Sequence, residues 1–513
     1  MRRHPRTTTA ALAALSVLAA ACSSTHVAAP RRSTAPTAPA ASASPAAAGL
    51  EAAPVAPKWA PCEGAAGPKG FQCASVPVPR DPEDPSKGTI EMAIDRRPAS
   101  GRKIGSLLVN PGGPGASGVD FLPDAVSMMP ASLLDRFDVV GFDPPGVART
   151  APIVCLGPAG LSTYFNEDPA PATASGFEAL VAEDKVFADG CEALSGAELP
   201  YVSTVDAAMD MNLLRADLGD PDLNYLGFSY GTFIGATYAE LYPTRIRAMV
   251  LDGAMDPALG VIAGLDQQSA AIEGDLDQVF SSCESTPSCP WKPGPDPLAA
   301  YEQLMSRVRA HPIPVPGTGQ SIGPAELLYG TAAGLYSAST WGYLETALAR
   351  LESGDGSDML NLFDAYVGRN PDGTYSNEFE ANAAVNCLDD PAPSIAAIQA
   401  AAPAAAAAAP VFGVANLYSE IGCSVWPVPA TGKPHAIHAP GSPPIVVVGS
   451  TGDPATPYSW AVALSHELDH GVLLTRVGEG HTGYPFSSCV RDAVDSYLIS
   501  LHVPAPGTRC PSN

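Results

Sequence analysis

The stretch Asn224-Tyr225-Leu226-Gly227-Phe228-Ser229-Tyr230-Gly231-Thr232 reads as a buried strand, a forced tight turn and the start of a helix. Leu223 to Leu226 is a short apolar run suited to a central strand. Thr232 to Tyr242 keeps small residues at Gly235 and Ala236 before Pro243 ends the segment. A serine between two glycines at such a strand-to-helix turn stands with its hydroxyl exposed, because neither neighbour carries a Cβ to hold strand and helix apart. Ser229 is therefore the candidate nucleophile.

A serine hydroxyl is a poor nucleophile at neutral pH; it needs a histidine to take its proton and a carboxylate to orient that histidine. Both follow later, each in a loop after a strand. Pro444-Ile445-Val446-Val447-Val448-Gly449 is rich in β-branched residues and leads into Ser450-Thr451-Gly452-Asp453-Pro454-Ala455-Thr456-Pro457. Gly471 to Val477 is a further strand, and Gly478-Glu479-Gly480-His481-Thr482-Gly483 follows it. Asp453 and His481 are the candidate partners, in the order serine, acid, histidine. Thr456 either bonds the acid or steadies its turn.

Upstream, Ile104 to Val109 reads as a buried strand and opens into Asn110-Pro111-Gly112-Gly113-Pro114-Gly115-Ala116-Ser117-Gly118. A loop so rich in glycine and proline fixes the backbone while leaving amides uncovered. That suits an oxyanion hole, whose donors would be the amides of Tyr230 and Gly113, with Gly112 as the alternative. Pro114 has no N–H to give. A phosphate loop is disfavoured, since no lysine follows at the required spacing.

Further strands at Thr89 to Asp95, Phe137 to Asp143 and Ile246 to Leu251, and a helix capped at Ser203-Thr204-Val205-Asp206, complete a strand-helix alternation. The fold class is thus α/β, a mostly parallel sheet covered on both faces. From about Met255 to Pro440 the pattern turns helical, as at Asp266 to Val279, Leu298 to Ala310 and Trp341 to Leu351, with an Ala-rich run from Ala396 to Ala409 that reads as a surface helix or linker. The expected organisation is a leader over 1–22, a tether over 23–57, core over 58–254, an inserted helical lid over 255–440, and core again over 441–513.

The leader opens Met1-Arg2-Arg3 and continues with an apolar run from Ala10 to Ala21, the layout of a signal peptide. It ends Leu18-Ala19-Ala20-Ala21-Cys22, similar to a bacterial lipobox with Ala19 where leucine is usual. Lipidation of Cys22 and ordinary cleavage nearby are the two readings. The Ala-, Pro-, Ser- and Thr-rich tether lacks the apolar residues to fold and would hold a domain off a membrane. With 53 acidic and 28 basic residues and a formal charge of −25, the chain lacks the basic face that nucleic acid or an anionic membrane surface would require. Membrane contact is expected only through the lipid. Of eleven cysteines, Cys22 stands in the leader and ten remain. An even set in an exported chain reads as disulfides, and spacing suggests neighbours: Cys62–Cys73, Cys155–Cys191, Cys283–Cys289, Cys387–Cys423 and Cys489–Cys510. Zinc is the competing reading, but no C-x-x-C pair occurs.

Together, Pro111 to Gly115, Gly227 to Gly231, Gly452 to Pro457 and Gly480-His481 resemble the actinobacterial tripeptidyl aminopeptidase family, exported α/β-hydrolases related to proline iminopeptidases. The resemblance runs from Trp59 and Cys62 to Cys489. It implies that Ser229, Asp453 and His481 form a triad that removes short peptides, tripeptides foremost, or single residues from free N-termini, with neither metal nor cofactor. It departs at Asp143-Pro144-Pro145-Gly146, where the family carries arginine at the position of Pro145, so any ion pair made by that arginine would be missing. An exopeptidase must also bind a terminal ammonium. Glu378, Glu380, Asp389 and Asp390, around Cys387, are the candidates. An esterase on the same triad and a non-catalytic surface lipoprotein are the alternative readings.

Overall fold

In the computed structural model of the chain, residues 54–62 and 70–513 are described. Cys22, the leader and most of the tether lie outside them. The core is one ten-stranded sheet in the order β1-β2-β3-β5-β4-β6-β7-β10-β11-β12. Its strands are β1 (Ala60–Pro61), β2 (Gln72–Pro79), β3 (Thr89–Arg97), β4 (Gly105–Asn110), β5 (Phe137–Phe142), β6 (Leu223–Phe228), β7 (Ile246–Asp252), β10 (Ile445–Gly452), β11 (Gly471–Glu479) and β12 (Arg509–Pro511). A separate two-stranded ribbon pairs β8 (Ile313–Pro314) with β9 (Ser321–Ile322). From β5 to β12 every neighbouring pair is parallel, whereas β1, β2 and β3 join antiparallel at one edge.

Alternate residues of the central strands feed two cores on opposite faces. Leu108, Tyr225, Met249, Leu251, Ile445 and Val447 pack into one, and Val109, Leu226, Phe228, Val250, Val446 and Val448 into the other. Burial on both faces is why these strands read as continuous apolar runs instead of alternating ones. Each fully buried Val or Leu contributes about 1.5–3 kcal/mol relative to exposure. Helices cover both faces. Thr204–Asp217 starts from the capping box read in the sequence, with Ser203 and Asp206 bonding each other's backbone N–H.

Between β7 and β10 the chain is helical apart from the β8–β9 ribbon, which sequence patterning does not disclose. The described helices there include Val261–Ser285, Pro297–Ala310, Pro324–Leu335, Trp341–Glu352 and Glu378–Asp389. The Ala-rich run forms the helix Ile395–Ala408, with Pro403 inside it. Two more helices, Pro158–Phe165 and Ala174–Ser195, arise earlier, between β5 and β6. They join the lid through an aromatic cluster in which Tyr164, Phe165 and Phe187 meet Phe379. The covering layer is therefore built from two separate stretches of chain. Disulfides join Cys62–Cys73, Cys155–Cys191, Cys283–Cys289, Cys387–Cys423 and Cys489–Cys510. Among the described residues no helix is long and apolar enough to cross a membrane.

Candidate active site

The candidate residues gather at the C-terminal ends of five strands adjacent in the sheet, β4, β6, β7, β10 and β11, where an open parallel sheet presents its ligand-binding groups. After β6 the backbone turns at Ser229 with φ +54°, a left-handed conformation that few non-glycine residues hold. The Ser229 N–H donates to Asp252 O at 2.9 Å. Its carbonyl accepts from the Thr232 N–H and hydroxyl, at 2.8 and 2.6 Å, and so begins the helix Gly231–Leu241. A Cβ on Gly227 would lie 2.5 Å from Gly231 O, and one on Gly231 would lie 2.7 Å from Asn110 Oδ1. Both glycines are thus demanded by close backbone approach.

His481 Nδ1 lies 2.8 and 3.0 Å from the two oxygens of Asp453, whose side chain is fully buried. Asp453 also accepts from the amides of Ala455, Thr456 and Thr482 at 3.0, 2.8 and 3.2 Å. The Thr456 hydroxyl sits 3.3 Å from His481 Nδ1, so this residue both braces the acid turn and reaches the histidine. Burial disfavours the imidazolium, but the charge and hydrogen bond of Asp453, with a smaller push from Asp252, outweigh it and raise the His481 pKa above its ordinary value. The other ring nitrogen, Nε2, is buried without a hydrogen-bond partner among the described residues. The pair therefore stands oriented with a vacant proton acceptor.

The glycine-rich loop over 110–118 packs directly on the Ser229 turn. The Gly112 N–H is spent on Asn110 Oδ1 at 2.9 Å, which removes the alternative donor. The Gly113 and Tyr230 amides have no acceptor among the described residues. Glycine at 112, with φ +103°, brings the loop so close that a Cβ there would lie 2.8 Å from Ser229 Cβ and 2.9 Å from Tyr230 N.

The four lid carboxylates separate by environment. Glu380 is buried and caps the amides of Cys155 and Leu156 at 2.6 and 3.0 Å. Asp389 accepts from the Thr204 amide at 2.9 Å and hydroxyl at 2.5 Å, and burial pushes its carboxyl up to about 7 against those bonds. Asp390 is half-buried and accepts from the Val261 backbone; burial raises it to about 6. Those three are held in structural bonds. Glu378 alone of the four is exposed and, among the described residues, without a hydrogen-bond partner. It lies near enough to Tyr336 and Tyr366 for its charge to act on both phenols, and partial desolvation raises its own pKa. The Tyr336 ring meets the His481 ring edge-on at 5.7 Å, and Tyr336 O accepts the His481 N–H at 2.9 Å. Tyr336 and Tyr366 belong to a narrow cavity with Ile272, Leu328, Tyr329 and Phe412, beside Pro454 and Ala455 of the acid loop. A roomier cavity of about 480 Å³, bounded by Tyr301, Met305, Arg309 and Val411, touches none of the candidate residues.

Three supporting residues are invisible to motif reading. Asp252, at the end of β7, is fully buried; its carboxylate accepts from the amides of Gly483 and Tyr484, each at 2.7 Å, while its carbonyl holds Ser229. It ties the serine turn to the histidine loop. Arg476 on β11 donates to the carbonyls of Glu479, Gly480 and Thr482 and so clamps the histidine loop from below. Arg149 lies 3.3 Å from Asp143 and 2.6 Å from Asp120, so Asp143 has an ion pair although position 145 is proline.

A family model described as TAP-like protein matches residues 409–510, the segment that carries Asp453 and His481. Serine protease Hip1 of Mycobacterium tuberculosis is 36% identical over 486 residues, covering 88% of this chain and 90% of that protein. Carboxylesterase B of the same organism is 36% identical over 457 residues, covering 86% of each. Tripeptidyl aminopeptidase of Streptomyces lividans is 31% identical over 456 residues, covering 86% of this chain and 84% of that protein. Identity at this level across nearly the whole described chain settles the kinship: the chain belongs to the tripeptidyl aminopeptidase-like family of α/β-hydrolases.

Proposed function

We propose that this protein is an exported serine exopeptidase that releases short peptides, tripeptides foremost, from free N-termini through an acyl-enzyme on Ser229. The observation that carries the peptidase reading is Glu378, an exposed carboxylate with no hydrogen-bond partner among the described residues, whose charge acts on the phenol of Tyr336, the residue that meets the His481 ring. A terminal ammonium placed on it makes a charge-assisted bond that an acetylated N-terminus cannot make. The distance from that carboxylate to Ser229 would then measure off the length of peptide released.

The chemistry follows from the site. Ser229 Oγ attacks the scissile carbonyl as its proton passes to His481 Nε2, and a C–O bond forms. The carbonyl oxygen becomes an oxyanion on the Gly113 and Tyr230 amides, donors worth about 10²–10³ in rate apiece. Collapse breaks the C–N bond, and His481 gives its proton to the leaving amine. Water then repeats the sequence, its proton taken by His481, and releases the peptide acid and Ser229. Asp453 keeps the imidazole in the tautomer that leaves Nε2 free to accept. No step calls for a metal or a cofactor.

The second reading, an esterase on the same triad, draws support from the relative named carboxylesterase B. Free-amine mono-, di- and tripeptidyl anilides, their N-acetylated forms and a short-chain ester separate the two. Cleavage of a free-amine anilide that is lost on acetylation and in Ser229→Ala supports the exopeptidase; ester cleavage alone refutes it. We also place the mature protein outside the cell, held through a lipid on Cys22 or released. Mass spectrometry of the mature N-terminus decides between these.

A further inference from the structure

One helix, Glu378–Asp389, bonds the glycine loop that carries the Gly113 amide and, through Thr204, the side chain of Tyr230. Near its start, Asn382 Nδ2 donates to Pro114 O at 3.1 Å, and Asn386 Nδ2 donates to Asn382 Oδ1 at 2.9 Å, which fixes the orientation of that amide. The helix backbone lies so close to the glycine loop that a Cβ on Gly115 would stand 2.2 Å from Glu378 O and 2.9 Å from Asn382 N. The loop carrying the Gly113 amide cannot shift toward the lid without displacing the helix.

At the other end, Asp389 reaches the second donor through one intermediate. The Thr204 hydroxyl donates to Asp389 Oδ2 at 2.5 Å and is itself hydrogen-bonded to the Tyr230 phenol. Thr204 has a single hydroxyl proton, and the carboxylate takes it, so the Tyr230 O–H donates to Thr204. The relay lies in the interior, with Thr204 1% and Tyr230 5% exposed. A buried ring that meets Phe233 edge-on and is bonded at its hydroxyl holds its own backbone amide in place. A helix of twelve residues is a rigid spacer roughly 18 Å long, and Cys387–Cys423 ties it to the rest of the lid.

We propose that this helix sets the spacing of the oxyanion hole, with Asn382 and Asp389 as positioning residues, one for the Gly113 amide and one, through Thr204, for the Tyr230 amide. Neither touches the substrate. The lid thereby contributes to transition-state stabilisation as well as enclosing the cleft. The geometry holds whether the substrate is a peptide or an ester.

The test uses the full-length protein with p-nitrophenyl acetate and with an aliphatic trifluoromethyl ketone, which adds to the serine to form a hemiketal oxyanion. Asp389→Asn and Thr204→Val are expected to lower kcat by about ten- to a hundredfold, less than the roughly 10²–10³ lost when a donor is removed outright, with KM within twofold. The ketone should lose affinity by the same factor. Asn382→Ala, which removes a single part-buried bond to the loop, should give a smaller loss of both, and Thr204→Ser, which keeps the hydroxyl, should recover most of the activity. If Thr204→Val does not fold, Asn382→Ala and Asp389→Asn carry the test. Folded variants with unchanged kcat and unchanged ketone affinity would overturn the proposal. So would a fall in kcat without a matching loss of ketone affinity, or a rise in KM with kcat preserved.

Discussion

Gly112→Ala places one methyl group at the seam between the oxyanion loop and the serine turn. On the present backbone that carbon would lie 2.7 Å from Phe228 O, 2.8 Å from Ser229 Cβ and 2.9 Å from Tyr230 N. Ordinary contact begins near ~3.5 Å for carbon, so the two segments must part by roughly 0.6–0.8 Å. Two costs follow. Alanine at φ +103° is strained by about 1–3 kcal/mol, and the Gly113 amide moves away from the Tyr230 amide. A donor displaced by that much loses most of its effect on the oxyanion, so kcat should fall about 10²-fold or more, with KM little changed. Gly219→Ala separates strain from catalysis. It too has positive φ, +78°, yet its added Cβ meets nothing within 4 Å. It should lower thermal stability by about 1 kcal/mol and leave kcat as in the parent. Steady-state kinetics beside a thermal melt reads both quantities. A Gly112→Ala protein that loses stability but keeps kcat within threefold would refute the placement of the hole.

Other outcomes follow from the same geometry. Asp453→Asn keeps the shape but turns an acceptor into a donor facing Nδ1, so kcat should fall about 10³–10⁴-fold, read as kcat on a matched anilide. Because the His481 pKa is raised and only neutral histidine accepts the serine proton, kcat/KM should fall with acid along a limb centred above 6.5. The same shift favours the protonated folded state: its stability contribution is complete below the unfolded histidine pKa and lost as pH rises through the folded one. Replacing Cys155 and Cys191 by alanine opens a loop of 36 residues and should cost about 4 kcal/mol of stability, measured by denaturant unfolding. Activity of the folded fraction should survive, since neither cysteine borders the cleft. Glu378→Gln should raise KM for free-amine peptides about tenfold or more while ester hydrolysis is retained, measured on the same preparation.

Much of this arrangement is legible in the chain because parallel strands buried on both faces leave unbroken apolar runs, and because Ser229, Asp453 and His481 each directly follow such a run. The edge strand β2 is hidden for the opposite reason. Pro77 and Pro79 break the pattern, and they are tolerated because β1 pairs only with Gln72 and Cys73, leaving the rest of β2 without a second neighbour among the described residues. Supporting residues are hidden because their meaning is set by partners distant in sequence. Asp252 is defined by Gly483 and Tyr484, and Asp389 by Thr204, 185 residues away. Nothing local distinguishes a buried, bonded carboxylate from a solvated one in so acidic a chain. Arg149 shows the same limit, since its ion pair with Asp143 depends on how the turn through Gly146 folds back.

Labelling with a fluorophosphonate and locating the adduct by peptide mapping asks whether Ser229 is the nucleophile. One stoichiometric label is expected, on Ser229, sharply slowed in His481→Ala and protected by a free-amine tripeptide but not by its acetylated form. A label on another residue, or full hydrolytic activity in Ser229→Ala, would contradict that role.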